Sequence, residues 1–370
     1  MLIAIRVDAS LRMGTGHSYR MLTLANKLVE RGHSVFFVVR QLNGNLIEII
    51  RENFDVVLLT KPLDKYTTNE HCPHADWLEV SYQNEINQSY TAISDKLADY
   101  NSDVLDCLIV DHYSIDSRWH STLKSLTKTI MQVDDLADRM LDVDIVLDQN
   151  YSILGDTRYD PVTKGQVTKL CGPKFALLRD EFAVARNKLQ PYMTRMEQHQ
   201  VVLFFGGIDA TNETTKALHG LLSVDTQDHF CVIIGKNNPN KKQIIELVEQ
   251  YKNRCSVHIQ VKNMTDFLSS AYLFVGAVGA TTWERCALGI PAIVCSVAEN
   301  QEQVARDLSE INGHNYMGPN QHLSSMDYAE AYKSLTGAPH SLYKQALCCE
   351  RLVDGKGALR VVQHLEEISK

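Results

Sequence analysis

Apolar residues in this chain come in short unbroken runs, separated by stretches of helical periodicity. LIAIRV (2–7) leads into a stretch near 17–31 with Met21, Leu24 and Leu28 at helical spacing. SVFFVV (34–39), NLIEIIREN (45–53) and FDVVLL (54–59) follow, then a polar stretch over 60–76. A helix is predicted across 83–100, then CLIVDH (107–112), another helix, TIMQVDD (129–135) and DIVLDQN (144–150). Short continuous apolar runs between helices read as buried parallel strands. Strand alternating with helix predicts a doubly wound sheet.

The pattern restarts near 200 with QVVLFFGG (200–207) and a helix after TNET. CVIIG (231–235), a helix from 241, SVHIQ (256–260), a short helix, YLFVGAVG (272–279), a helix from 282 and PAIVCSV (291–297) follow. Both halves open with strand, glycine loop and helix. Between them, FALLRDEFAVARNKLQPY (175–192) reads as a connecting helix ended near Pro191. The expected architecture is α/β, with two Rossmann-like doubly wound domains facing across a cleft. The expected divisions are an N-terminal domain over 1–165, a connecting segment over 166–198 and a C-terminal domain over 199–370. Ligands are expected beyond the carboxyl ends of the strands.

Composition narrows the function. The 370 residues, 44% apolar, suffice for two ordinary cores. A formal net charge of −8 argues against a nucleic-acid groove. Nine scattered cysteines show no C-x-x-C pair, so zinc and disulfide frameworks are not expected. No apolar run approaches the roughly 20 residues of a membrane helix. The N-terminus enters LIAIRV without the regions of a secretory leader. The expectation is a soluble cytoplasmic protein with no cofactor, no membrane contact and no obligatory protein partner.

Three loops carry the candidate chemistry. The first is DASLRMGTGHSYR (8–20), where Gly14-Thr15-Gly16 delivers His17 to a helix start. There the positive end of the helix dipole disfavours imidazolium, and a neutral imidazole is what a general base requires. Asp8 either orients that ring or caps the turn. Gly14 and Gly16 are expected to line the substrate site, as is Tyr113 at the strand end Asp111-His112-Tyr113. The second loop is FFGGIDATNET (204–214), where Gly206 and Gly207 allow close approach of a ligand and a polar residue caps the next helix.

The third is GAVGATTWERCALGIPAIVCSVAENQ (276–301). A helix beginning at Thr281 and Thr282 is expected to offer unpaired N–H groups to a diphosphate. Glu284, in its first turn, fits either a dipole partner or an acceptor for ribose hydroxyls. Glu299-Asn300-Gln301 returns to the ligand side after a buried strand. Arg179 is either a surface ion pair or a substrate contact. Asp134-Asp135 and Asp148-Gln149-Asn150 end strands. Asp142-Val143-Asp144 matches a metal-transferase D-x-D string but precedes strand-like residues, and is rejected as a metal site.

These segments together resemble one family. GxGH (14–17), HADWL (74–78), VDHY (110–113), Asp134-Asp135, DQNY (148–151), GPKFALLRDEF (172–182), FFGGIDATNET and GATTWERCALGIPAIV are similar to the UDP-2,4-diacetamido-2,4,6-trideoxy-β-L-altropyranose hydrolases of pseudaminic acid biosynthesis. The resemblance runs from Met1 to DGKGALRV (354–361). It implies the glycosyltransferase B type of fold, similar to the murein glycosyltransferase, with transfer of the sugar to water. It implies His17 as catalytic base, Arg179, Glu284 and Asn300 as substrate-binding residues, and Gly206 and Gly207 in the phosphate-side loop. One departure stands at Glu79 and Glu85-Ile86, where the family often has Gly and later Asp-Ala. The expected reaction is metal-independent and inverting, with C–O cleavage. The alternatives are a UDP-sugar-dependent glycosyltransferase of the same fold and a non-catalytic UDP-sugar-binding protein.

Overall fold

A computed structural model describes residues 1–62 and 72–368. Part of the polar stretch 60–76 therefore lies outside the described residues. The chain forms two compact units: Met1–Asn150, Leu154–Leu178 and Lys356–Lys370 in the first, Tyr151–Ile153 and Arg179–Gly355 in the second.

The first unit holds a seven-stranded parallel sheet in the order β3-β2-β1-β4-β5-β6-β7. The strands are β1 Leu2–Val7, β2 Ser34–Arg40, β3 Asp55–Leu59, β4 Cys107–Asp111, β5 Ile130–Val133, β6 Ile145–Asp148 and β7 Thr168–Cys171. Helices Gly16–Glu30 and Tyr82–Asp99 lie where the periodicity placed them. Two apolar clusters sit on opposite faces of this sheet. Ile3, Ile5 and Val7 of β1 point to one, Ala4 to the other, so the alternation of a strand covered on both sides is obeyed.

The second unit holds a six-stranded parallel sheet in the order β10-β9-β8-β11-β12-β13. Its strands are β8 Gln200–Phe204, β9 His229–Ile234, β10 Cys255–Ile259, β11 Leu273–Ala277, β12 Ala292–Ser296 and β13 Asn315–Pro319. In both units the strand order reverses beside the first strand of the unit, between β1 and β4 and between β8 and β11. Loops diverge at such a switch point and leave room for a ligand beyond the strand ends.

Two expectations need correction. The stretch 175–192 is not one helix: β7 precedes it, Ala176–Leu178 is buried non-helical chain, and the helix there spans only Asp180–Arg186. The C-terminal domain does not run to 370 either. Helix Gly357–Ile368 buries Ala358, Val361, Val362 and Leu365 in the first unit's core with Ile3, Ile5, Met21 and Phe175. Gly357 is required by that docking, because a Cβ there would lie 2.2 Å from the Ala176 carbonyl oxygen. Arg31 pairs with Glu366 at 2.8 Å on the same surface.

Candidate functional site

At the first switch point, β1 feeds the loop 8–16 and then helix Gly16–Glu30. The loop closes on itself: the Gly14 N–H donates to the Ser10 carbonyl at 2.8 Å, and the Met13 N–H to Ser10 Oγ at 3.1 Å. Gly14 has φ 78°, a left-handed conformation natural to glycine. At both Gly14 and Gly16 a Cβ would meet open space. The loop thus offers bare backbone beside His17, which is 7% exposed.

The partner of His17 comes from the neighbouring strand. Asp111 ends β4, whose register pairs it with Val7 of β1. His17 Nδ1 lies 2.6 Å from Asp111 Oδ1. Arg20, three residues further along the helix, donates to both Asp111 oxygens, from Nε and Nη2, at 2.6 Å each. That guanidinium holds the Asp111 carboxyl far below the usual carboxylate range despite complete burial. An ionised carboxylate only accepts, so Nδ1 must carry the proton. In the neutral ring the lone pair is then on Nε2. Arg20 Nη2 also lies 3.1 Å from Nδ1, but a protonated nitrogen offers it no acceptor.

A second layer holds these three. Asp135 accepts from Arg20 Nη1 at 3.2 Å and from the Tyr113 hydroxyl. The Tyr113 ring meets the His17 ring edge-on, centroids 4.6 Å apart. Tyr113 is 4% exposed, so its hydroxyl is committed to Asp135 and its ring to fixing the imidazole. Asp8 does not orient His17. It receives both Nη atoms of Arg6 at 2.6 and 2.7 Å, and the Arg40 backbone N–H at 2.7 Å. Arg6 Nε donates to Glu85 Oε1 at 2.9 Å, and Arg40 Nη2 also reaches Glu85. Arg6, Asp8, Arg40 and Glu85 are all fully buried. Glu85 is therefore a member of a charge-balanced quartet built around β1 and β2.

The remaining acidic strand ends make turns. Asp134 accepts from the Ala137 N–H at 2.8 Å and from Arg139 Nη1 at 2.7 Å. Asp148 accepts from the Asn150 N–H, Arg158 Nη1 and the Tyr159 hydroxyl, and burial pushes its carboxyl up to about 7. Asp144 accepts the Ile130 N–H at 2.7 Å, and Asp142 is bound by Ser121 and Lys124. Among the described residues no group of three His, Cys, Asp or Glu side chains is placed to hold a metal ion.

In the second unit, candidates follow the three adjacent strands β8, β11 and β12. Gly206 has φ 95°, and a Cβ on Gly206 or Gly207 would meet open space. Asp209 shapes the loop by accepting the N–H groups of Glu213 and Thr214 at 2.9 Å each, capping helix Glu213–Leu222. After β11, the Gly279 N–H donates to Thr282 Oγ1 at 3.3 Å. Thr282 and Trp283 donate back to the carbonyls of Gly279 and Ala280 at 2.9 and 3.1 Å. The expected set of open amides is thus smaller than the sequence suggested: Ala280 and Thr281 precede the helix's own ladder, whereas Thr282 is bonded and its side chain buried.

Glu284, its side chain 18% exposed, lies 3.9 Å from Arg179 Nη2, so two predicted residues meet here. Arg179 also pairs with Glu181 at 2.8 Å. Burial pushes the Glu284 carboxyl up to about 7, opposed by Arg179 and by a bond from the Thr281 hydroxyl. Asn300 is exposed in the single 3-10 turn Glu299–Gln301 after β12, which Gln301 ties down by accepting the Val297 N–H at 2.9 Å.

Residues 201–353 match the glycosyltransferase family 28 C-terminal domain. A spore coat polysaccharide biosynthesis protein of Bacillus subtilis, SpsG, is 22% identical over the whole chain and 98% of its own length. An uncharacterized protein of Methanocaldococcus jannaschii is 24% identical over 83% of this chain, a match spanning 58% of that protein. MurG of Acinetobacter baumannii superposes with a TM-score of 0.66 at 10% identity, covering 99% of both chains. UGT2 of Phytolacca americana, complexed with UDP-2fluoro-glucose and pterostilbene, gives 0.69 at 13%, covering 100% of this chain and 99% of its own. The two parallel-sheet units share the glycosyltransferase B fold of these structures.

Proposed function

We propose that the protein is a UDP-sugar hydrolase. Its substrate on this reading is UDP-2,4-diacetamido-2,4,6-trideoxy-β-L-altropyranose. The observation that carries the proposal is the His17–Asp111 pair, which leaves Nε2 with a lone pair and the ring with one orientation. A water oxygen attacks the anomeric carbon while its proton passes to Nε2. The bond between that carbon and the diphosphate oxygen breaks, and its electron pair leaves with UDP. Asp111 stabilises the imidazolium that forms, and a single displacement inverts the configuration.

The second unit holds the leaving group. The Gly206–Gly207 turn and the amides of Ala280 and Thr281 stabilise charge on the departing diphosphate, the electrostatic contribution expected to dominate. Glu284 accepts from ribose hydroxyls, and Arg179 and Asn300 contact the substrate. The resemblance of eight segments to the hydrolase family supports water as the acceptor. The match of 201–353 to a glycosyltransferase domain favours a second reading, transfer to a sugar or lipid hydroxyl.

Incubation with a panel of UDP-diacetamido sugars and no added acceptor separates the two. UDP and free inverted sugar, read by NMR, are expected from a hydrolase, with EDTA leaving the rate unchanged. UDP release only after addition of an acceptor would establish the transferase. Tight UDP binding with neither product would identify a binding protein.

A further inference from the structure

We infer that Trp77, with His74 beside it, forms an aromatic platform that receives the apolar face of an acetamido-deoxy sugar next to His17. Four rings run outward from the general base. Tyr113 contacts His17, Trp77 lies 5.7 Å from Tyr113 between centroids, and His74 lies 6.0 Å from Tyr113 and 5.1 Å from Trp77. The inner pair is buried and the outer pair is only partly buried. The other two tryptophans, Trp119 and Trp283, are 0% and 2% exposed. A large ring kept partly in water forgoes burial, and here it packs against Tyr113, the ring that contacts His17.

The backbone that presents this ring is strained and firmly held. Ala75–Leu78 is a single 3-10 turn with left-handed residues on both sides, His74 at φ 62° and Glu79 at φ 56°. Neither is glycine, and such conformations persist only where surrounding bonds impose them. Ala75 and Leu78 are anchored in the core. Ser114 Oγ donates to the His74 carbonyl, and His74 Nε2 pairs with Asp138 at 3.1 Å. Arg12, from the loop that carries His17, reaches the Asp76 carbonyl at 3.4 Å. The turn that carries Trp77 is therefore tied to the loop that carries His17.

The chemistry of the face selects the ligand. A sugar with a methyl at carbon 6 and two acetamido methyls presents more C–H surface than an ordinary hexose. Polarised C–H groups are attracted to the negative face of an indole, which also removes them from water. The identity of this sugar rests on the hydrolase reading; the platform itself rests on the rings.

Because Trp77 is the tryptophan that is not fully buried, acrylamide quenching of intrinsic fluorescence reports on it. Full-length protein is titrated with UDP-2,4-diacetamido-2,4,6-trideoxy-altrose and, separately, with UDP. Quenching is expected to fall with the sugar nucleotide and to stay unchanged with UDP alone. Trp77→Ala is expected to raise KM for that substrate by about 3- to 10-fold, with kcat and UDP affinity little changed, and Trp77→Phe to restore most of the loss. Hydrolysis with quenching unaffected by the sugar and KM unmoved in Trp77→Ala overturns the platform and leaves the hydrolase reading intact. Shielding of Trp77 without UDP release overturns the hydrolase reading and leaves the platform standing. No binding of the sugar nucleotide at all overturns both.

Discussion

Asp111 accepts three bonds, one from His17 and two from Arg20, and is fully buried. Asp111→Asn keeps the shape but removes the charge that fixes the His17 tautomer. Turnover is expected to fall by about 10²- to 10⁴-fold with UDP affinity unchanged, and His17→Ala to lose about 10²-fold or more. Single-turnover assays with calorimetric titration of UDP check both, and a matching loss of UDP affinity would remove His17 from the base role. Glu284 gives a pH signature. The folded protein keeps its proton up to about pH 7, the unfolded chain only to its ordinary value near 4.5. Between these values the folded state binds more protons, so this residue's contribution to stability is greatest at low pH and declines as pH rises through the window. Glu284→Gln should abolish that decline, read as the difference in urea midpoint between the two proteins from pH 4.5 to 7.5. If Glu284 binds ribose as proposed, the ribose hydroxyls donate best to the ionised carboxylate, and affinity for a UDP-sugar should rise through pH 7 in the parent. The glutamine protein should bind roughly 10- to 100-fold more weakly at pH 8, with no such rise. As a candidate, His17 stands out in the sequence because Gly-x-Gly-His is local. Asp111 was visible only as part of a strand end and Arg20 not at all, because their bonding to His17 depends on β4 lying beside β1, a pairing 94 residues distant in sequence between His17 and Asp111.

At the scale of elements, β1 is both a core strand and the support of the His17 loop. Arg6 and Asp8 are adjacent on one of its faces, and Glu85 on helix Tyr82–Asp99 closes the ion quartet. Replacing Glu85 by Leu leaves Arg6 with Asp8 alone and strips Arg40 of its carboxylate. Removing one partner of a buried pair costs about 3–5 kcal/mol, and chemical denaturation should show a loss of that size. A change below about 1 kcal/mol would mean that the cluster tolerates an uncompensated charge. Continuous apolar strands such as β1, β4 and β8 were plain in the sequence because both faces of each sheet are covered. β7, TKLC, was missed because its outer residues are partly exposed and two are polar. The segment 175–192 has helix-forming composition, yet Leu177 packs into the first unit's core with non-helical backbone, a tertiary demand that overrides propensity.

For the whole molecule, the two-fold recurrence of strand, glycine loop and helix was enough to read two parallel-sheet units from the chain. The unit boundary was not, because nothing local marks helix Gly357–Ile368 as belonging with residues hundreds of positions earlier. That helix supplies Val361, Val362 and Leu365 to the core under β1. Truncation after Gly355 should therefore destabilise the first unit and spare the second. Hydrogen exchange should show protection lost across Leu2–Val7 and Gly16–Glu30 and retained across Gln200–Phe204; equal loss in both sheets would contradict this assignment. The second unit is in effect an insertion within the first, and that has a consequence for biosynthesis. Domains emerging from a ribosome generally mature in the order they are made. Here the sheet that is translated first must wait, with an apolar groove uncovered, until the residues past 356 are free. The second unit, complete at Gly355, can finish earlier. During synthesis the His17 end of the protein is thus expected to be the last to complete its core.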